Sequence, residues 1–323
     1  MKQNAVILNV SKEKEGCFAT FGEAVKAAEA MEATHVTIQL DKGIYKEKVT
    51  IKKNNLTLLG ISPEETIITF DDYGLEILED GEKRGTFRTP TLFIDASDFT
   101  AKNITFENSA GPGKKVGQAL ALYVDGDRMI FENCRLLGGQ DTLFTAPLPP
   151  KAYEKNGFRG PKEFAPRTHG RHLYKDCFIC GDVDFIFGGA TAYFENCEIF
   201  SNNLGQEVNG YVTAASTLED VPGYVFYQCR FTSDCAPKSV YLGRPWRNYA
   251  KVAILNSEIG EHIKEEGWHD WDKPDARETV IFAEYNNFGA GADTKARPSW
   301  VKILTKEEAD AYTKEKILGD WYI

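Results

Sequence analysis

The acidic residues with the most chemical promise lie in two short segments. One reads Gly139-Gln140-Asp141-Thr142-Leu143-Phe144, the other Gly181-Asp182-Val183-Asp184-Phe185-Ile186-Phe187-Gly188. In an extended strand Asp182 and Asp184 share one side and Val183 faces the other. Phe185, Ile186 and Phe187 follow Asp184, and a carboxylate among apolar side chains is costly unless paired. Arg244, in the rigid turn Leu242-Gly243-Arg244-Pro245-Trp246, is a candidate partner. Asp141 ends a separate unit of the chain. If the two segments are neighbours in space, their acids could form a catalytic pair. A fourth segment, Gly117-Gln118-Ala119-Leu120-Ala121-Leu122, also stands out. Taken singly, each of these residues is more often structural: Asp caps turns, and Asp with Arg is commonly a plain ion pair.

Other chemistries find less support. No G-x-S-x-G elbow is present, which disfavours an α/β-hydrolase esterase. The histidines His35, His169, His172, His262 and His269 lack the H-E-x-x-H spacing of a zinc site. No metal and no cofactor is therefore expected. His172 lies close in sequence to the second acidic segment, and a solvated loop position is the default reading for it. The seven cysteines are odd in number in a chain of 323 residues, so a disulfide framework is not expected. Cys177 and Cys180 form a C-x-x-C without the second pair or the βαβ context that zinc or redox chemistry needs.

Net charge is −10, which points away from nucleic acid and anionic membranes as partners. No apolar run approaches the roughly 20 residues that cross a bilayer. The same net charge does not favour a polyanionic substrate. The apolar stretch from Ala5 to Val10 is short, broken by Asn9, and does not fit a secretory signal. Together with the thiol count this gives an expectation of a cytoplasmic location.

The elements that must position these residues are mostly short strands. One amphipathic helix is predicted after Phe18, with Phe21, Val25 and Ala28 on one face and a capping box of Thr20 and Glu23. Strands such as His35-Val36-Thr37-Ile38-Gln39-Leu40 follow. A loose repeat then emerges in Ile130-Phe131-Glu132-Asn133-Cys134-Arg135, Leu173-Tyr174-Lys175-Asp176-Cys177-Phe178, Tyr193-Phe194-Glu195-Asn196-Cys197-Glu198 and Phe226-Tyr227-Gln228-Cys229-Arg230-Phe231. Its period of roughly 20–30 residues is that of a solenoid. The pattern predicts an all-β parallel β-helix in which Cys or Ser stacks inward as a ladder. The preceding Asn, Asp or Gln turns a corner in the left-handed region. A β-sandwich is the alternative and does not account for the repeat. Residues 146–171, rich in Pro, Gly and Lys, read as a long loop beside the acidic segments. A short helix capped by Thr305 should fold back against the solenoid. Residues 1–323 are expected to form a single domain, a monomer by default.

In their order along the chain, the segments GQALAL, GGQDTLF, GDVDFIFG and LGRPW closely resemble the pectin methylesterase (pectinesterase) family, over roughly Phe18 to Trp300. The loop between the two Asp segments is longer than in plant members, a bacterial trait. The resemblance implies a right-handed parallel β-helix that demethylates polygalacturonate or oligogalacturonides. It implies Asp184 as nucleophile, Asp141 as acid–base, Gln118 and Gln140 as oxyanion donors and Arg244 as the residue that positions Asp184. Phe187 and Trp246 look like sugar-stacking residues. Burial and Asp184 should raise the pKa of Asp141, and Arg244 should depress that of Asp184. Two other readings remain open on the residues alone: a Ca²⁺-dependent pectate lyase, with Asp182 and Asp184 on the cation, and a non-catalytic pectin-binding solenoid.

Overall fold

A coil of three short strands cannot bury its inner face alone, and stacking coils is what creates a core. The structure is a computed structural model that describes residues 5–322; positions 1–4 and 323 of the expected domain lie outside the described residues. Within it the strands form three parallel sheets of eleven, eight and seven strands. Consecutive strands move from sheet to sheet. Arg171–Lys175 lies in the eleven-stranded sheet, Phe178–Gly181 in the eight-stranded and Val183–Gly188 in the seven-stranded, and Thr191–Glu195 returns to the first. The fold is a right-handed parallel β-helix.

The repeated unit explains the stacking. Cys134, Cys177, Cys197 and Cys229 are all buried in the main core, and the Ser257 hydroxyl accepts the Cys229 N–H at 3.0 Å in the next coil. All seven cysteines are free thiols. Before them stand Asn133, Asp176, Asn196, Gln228 and Asn256, with φ of 49°, 53°, 53°, 55° and 51°. These are the left-handed corners that the sequence demands, and Asn and Asp adopt them at low cost. The Asn133 and Asn286 amides donate to Asn103 and Asn256 one coil back, each at 2.8 Å. Inside, Phe131, Tyr174, Phe194 and Phe226 stack at 5.0, 4.8 and 4.4 Å.

A helix packs at the N-terminal end, and the C-terminal helices lie on the outer face of the eleven-stranded sheet. Phe21–Glu29 carries the expected Thr20–Glu23 capping box and buries Phe21, Ala24, Val25 and Ala28. The Glu47 carboxylate adds a second cap on the Phe21 and Gly22 amides, at 2.9 and 2.8 Å. Near the C-terminus Thr305 caps as expected, but the helix spans only Lys306–Ala309. It tightens into a 3₁₀ turn over Asp310–Tyr312, and a further helix, Lys314–Leu318, follows. Residues 146–170 carry no regular structure. They are braced from within by Arg167, whose guanidinium donates to the carbonyls of Pro149, Lys162, Glu163 and Ala165. Lys162 ties them to Asp95 at 2.7 Å and Asp125 at 3.2 Å on the seven-stranded sheet.

The Cys ladder sets a stability expectation. Because Ser257 already occupies the equivalent position, Cys197→Ser should cost less than about 1.5 kcal/mol. Cys197→Leu overfills a closed layer and should cost about 1–3 kcal/mol. Urea unfolding of both variants checks this; equal midpoints would contradict the tight ladder.

Candidate active site

Along the seven-stranded sheet one residue in two faces the core and the next faces out. Leu122, Leu143 and Ile186 belong to the core, whereas Tyr123, Phe144 and Phe187 belong to a second, outer cluster. Strand register sets these outer rings in a row with Phe93, in the order Phe93, Tyr123, Phe144, Phe187. Their centroids are 4.6, 4.7 and 4.8 Å apart. The row ends at a cleft of about 840 Å³ that contains Gln118, Gln140, Asp141, Asp184, Phe187, Arg244 and Trp246 in its lining. The seven site residues that the resemblance names thus meet at one place, and Asp182 does not line it.

The backbone delivers the two acids in an unusual way. Asp141 has φ 65° and Asp184 φ 51°, both left-handed. The register against Gly210–Ala215 shifts by one residue between Val183 and Ile186, a bulge that contains Asp184. Gly181 makes room for it: a Cβ there would lie 2.2 Å from that of Phe185. The Asp141 N–H donates to the Val183 carbonyl at 3.0 Å, so the acids sit on adjacent coils, next to each other. Gln118 and Gln140 are likewise bridged in parallel.

Their surroundings differ. Arg244 grips Asp184 with both prongs, Nε to Oδ1 at 2.8 Å and Nη2 to Oδ2 at 2.7 Å. The guanidinium is itself sandwiched between Tyr211 and Trp271, 3.8 and 3.7 Å from the ring centres. Asp141 is buried without an ion-pair partner among the described residues. Burial raises its pKa well above the carboxylate range, and the Asp184 charge raises it further. Asp184 departs from expectation. Burial raises its pKa too, and Arg244 opposes that rise without reversing it. Desolvation of a fully enclosed carboxylate is simply the larger effect here. The order of the two acids is as expected, with Asp141 the more strongly raised.

Asp182 has a different job from Asp184. Its Oδ2 accepts the Gly113 N–H at 2.9 Å and its Oδ1 the Val183 N–H at 2.7 Å. A Cβ on Gly113 would crowd Asp182 and Gln140. A cation shared by Asp182 and Asp184 would lie against the Arg244 guanidinium already paired with Asp184, and that like-charge repulsion disfavours the calcium reading. Away from the cleft lining, His269, Asp270 and Asp272 have the spacing of a cation site, but Asp270 already pairs with Arg277. His172 is neither solvated nor at the cleft. It is buried in the eleven-stranded sheet, with Nε2 3.1 Å from the Gly126 carbonyl, and burial pulls its pKa down to about 4. Phe187, 3% exposed, is floor more than platform, and Trp246 keeps more of its surface open. Sequence reasoning missed Tyr211 and Trp271. No signal in the sequence pointed to them, since the pairing of Tyr211 with Val183 on the neighbouring coil is a matter of register between coils.

Relatives in sequence and in fold extend over nearly the whole chain. A family model described as Pectinesterase matches residues 7–149 and 166–320. Pectinesterase 31 of Arabidopsis thaliana is 34% identical over 311 residues, 94% of this chain and 89% of that protein. Other Arabidopsis relatives, named as pectinesterase/pectinesterase inhibitor, are spanned over about half their length, 49% and 53%. Pectin methylesterase from carrot superimposes with a TM-score of 0.81 at 31% identity, over 97% of this chain and 93% of that one. A pectin methylesterase mutant in complex with a hexasaccharide gives 0.78 at 30% identity, over 97% of each chain. The fold and these likenesses define a β-helical carboxylic ester hydrolase. The chain belongs to the pectinesterase family.

The structural role of Asp182 is open to test. Asp182→Ala leaves two amides without acceptors and should cost about 2–3 kcal/mol of stability. Thermal or urea denaturation of that variant measures it, and an unchanged midpoint would refute the role.

Proposed function

We propose that this protein hydrolyses methyl esters of galacturonate in pectin or its oligomers, releasing methanol, with Asp184 as nucleophile and Asp141 as acid–base. The observation that carries this reading is the asymmetry of two adjacent buried acids. One is clamped by an arginine and the other has no cation of its own. The solved relative bound to a hexasaccharide supports a sugar-chain substrate.

An Asp184 oxygen retains a free lone pair while accepting from Arg244. It attacks the C6 carbonyl carbon, and the oxygen that becomes negative takes hydrogen bonds from the Gln118 and Gln140 amides. Collapse breaks the bond to the methoxy oxygen, which takes the Asp141 proton and leaves as methanol. The result is an acyl anhydride on Asp184. Asp141, now a carboxylate, removes a proton from water as the water oxygen attacks, and the anhydride opens to the Asp184 carboxylate and galacturonic acid, which gives its proton to solvent. Both acids return to their starting states.

The experiment is methanol release by Asp184→Asn and Asp141→Asn on methylated oligogalacturonides. Each variant should lose at least about a thousandfold in kcat while remaining folded by circular dichroism. Near wild-type turnover in either variant would remove that residue from its role.

A further inference from the structure

Trp271 covers one face of the Arg244 guanidinium, yet its own backbone is strained. Its φ is 58° and that of Asp272 is 54°, successive left-handed residues with no glycine. For a side chain as bulky as tryptophan that conformation persists only where the surroundings impose it. Side chains of the same turn do so. His269 Nδ1 accepts the Trp271 N–H at 2.9 Å, and Asp270 Oδ1 accepts the Asp272 N–H at 3.0 Å. Asp270 is held in turn by Arg277, Nε to Oδ2 at 2.8 Å.

His269 differs from Asp270 in what else it touches. Its own N–H donates to the carbonyl of Gly243, the residue before Arg244, at 3.1 Å. Its ring meets Tyr211 edge-on with centroids 5.8 Å apart and Tyr241 at 5.1 Å, and those tyrosines stack on each other at 5.4 Å. One half-buried imidazole therefore reaches both residues that sandwich Arg244: its ring packs on Tyr211 and its Nδ1 holds the backbone of Trp271. The nearer Asp270 oxygen is 3.9 Å from Nδ1, beyond hydrogen-bond reach. An Nδ1 that accepts leaves the proton of the neutral ring on Nε2.

Resting on the esterase reading, we propose that His269 is a positioning residue for the reaction: by fixing Trp271 and Tyr211 against Arg244 it keeps the guanidinium aligned on both oxygens of Asp184 and keeps that acid ready to attack as a carboxylate. His269 does not line the cleft and acts only through its neighbours. Without the Nδ1 acceptor the Trp271 N–H loses its partner, and the left-handed turn relaxes toward ordinary backbone angles. The indole then leaves one face of Arg244 uncovered. A guanidinium held on one side only drifts from the two-pronged grip, and burial of Asp184 is opposed less strongly.

The test follows methanol release from methylated oligogalacturonides across pH with wild type, His269→Leu and His269→Asn. Leucine keeps the bulk and removes the acceptor, whereas an asparagine side chain can accept from the N–H two residues on. His269→Leu should lower kcat about ten- to a hundredfold and move the acid limb of kcat/KM to higher pH, because Asp184 becomes harder to ionise. His269→Asn should recover most of both. A leucine variant with wild-type kcat, an acid limb that stays in place while kcat falls, or an asparagine variant as impaired as the leucine one would each overturn the proposal. Two NMR measurements need no turnover. Imidazole ¹⁵N shifts of the wild-type protein should show His269 with Nδ1 unprotonated, and a proton on Nδ1 contradicts the proposal whether or not a variant folds. Carboxyl ¹³C titration of His269→Leu should find Asp184 shifted up from wild type, and an unmoved signal counts equally against it. If wild type releases no methanol, the esterase reading fails instead, and these two signals decide the positioning role by themselves.

Discussion

The buried pair of Arg244 and Asp184 is the interaction around which the site is arranged. A carboxylate fully enclosed by protein loses its hydration, and a guanidinium gripping both its oxygens is what makes the ionised form tenable. That grip requires the arginine itself to be fixed. Tyr211 and Trp271 hold its plane from both sides, and the Arg244 N–H donates to the Thr213 carbonyl at 2.9 Å. Removing Arg244 would leave a buried charge unpaired, a loss of about 3–5 kcal/mol. The residue types near the pair follow from this. Aromatic rings bracket the arginine of the pair, and the neighbouring acid that lacks a cation is pushed toward its neutral form.

The solenoid supplies the position of the second acid. Stacked coils bring equivalent positions of distant segments to neighbouring strands, so Asp141 reaches Asp184 across 42 intervening residues, the long loop among them. Strand geometry alone would send these side chains into the fixed in–out alternation. The left-handed backbone at both acids and the bulge after Val183 break that alternation locally. Glycines at 113 and 181 admit the resulting close contacts. The loop of residues 146–171 then adds Tyr153 and Phe158 to the cleft wall, Phe158 packing on Phe87 at 5.9 Å and Trp246 at 6.1 Å.

Much of this was readable in advance because it depends on local chemistry or on repetition. Thr20 with Glu23 and Thr305 cap helices as their side chains dictate, and the Asn-Cys units carry both the corner and the core of each coil. Four motifs in order pointed to the residues that line one cleft. What stayed hidden depends on which coil lies beside which. Nothing in the local sequence says that Tyr211 and Trp271 bracket Arg244, that Asp182 serves two backbone amides, or that His172 is interior. The pKa of Asp184 was misjudged for a related reason: a sequence names the nearby cation but not the depth of burial that outweighs it. The overall charge of −10 likewise hid a cleft lining in which basic side chains such as Lys83, Arg84, Arg88 and Arg159 outnumber acidic ones.

The central claim is that the clamped acid ionises first while its neighbour holds a proton. Carboxyl ¹³C NMR titration of the wild-type protein and of Arg244→Ala measures it directly, with Asp141→Asn and Asp184→Asn used to assign the signals. Asp184 is expected to titrate above the ordinary carboxylate range but below Asp141, and to move further up when Arg244 is removed, because the cation favours its charged form. With two coupled acids the apparent values belong to the pair, so the order of the two signals is the quantity to read. Ionisation of Asp141 ahead of Asp184, or an Asp184 signal unmoved by loss of Arg244, would contradict the division of roles between them.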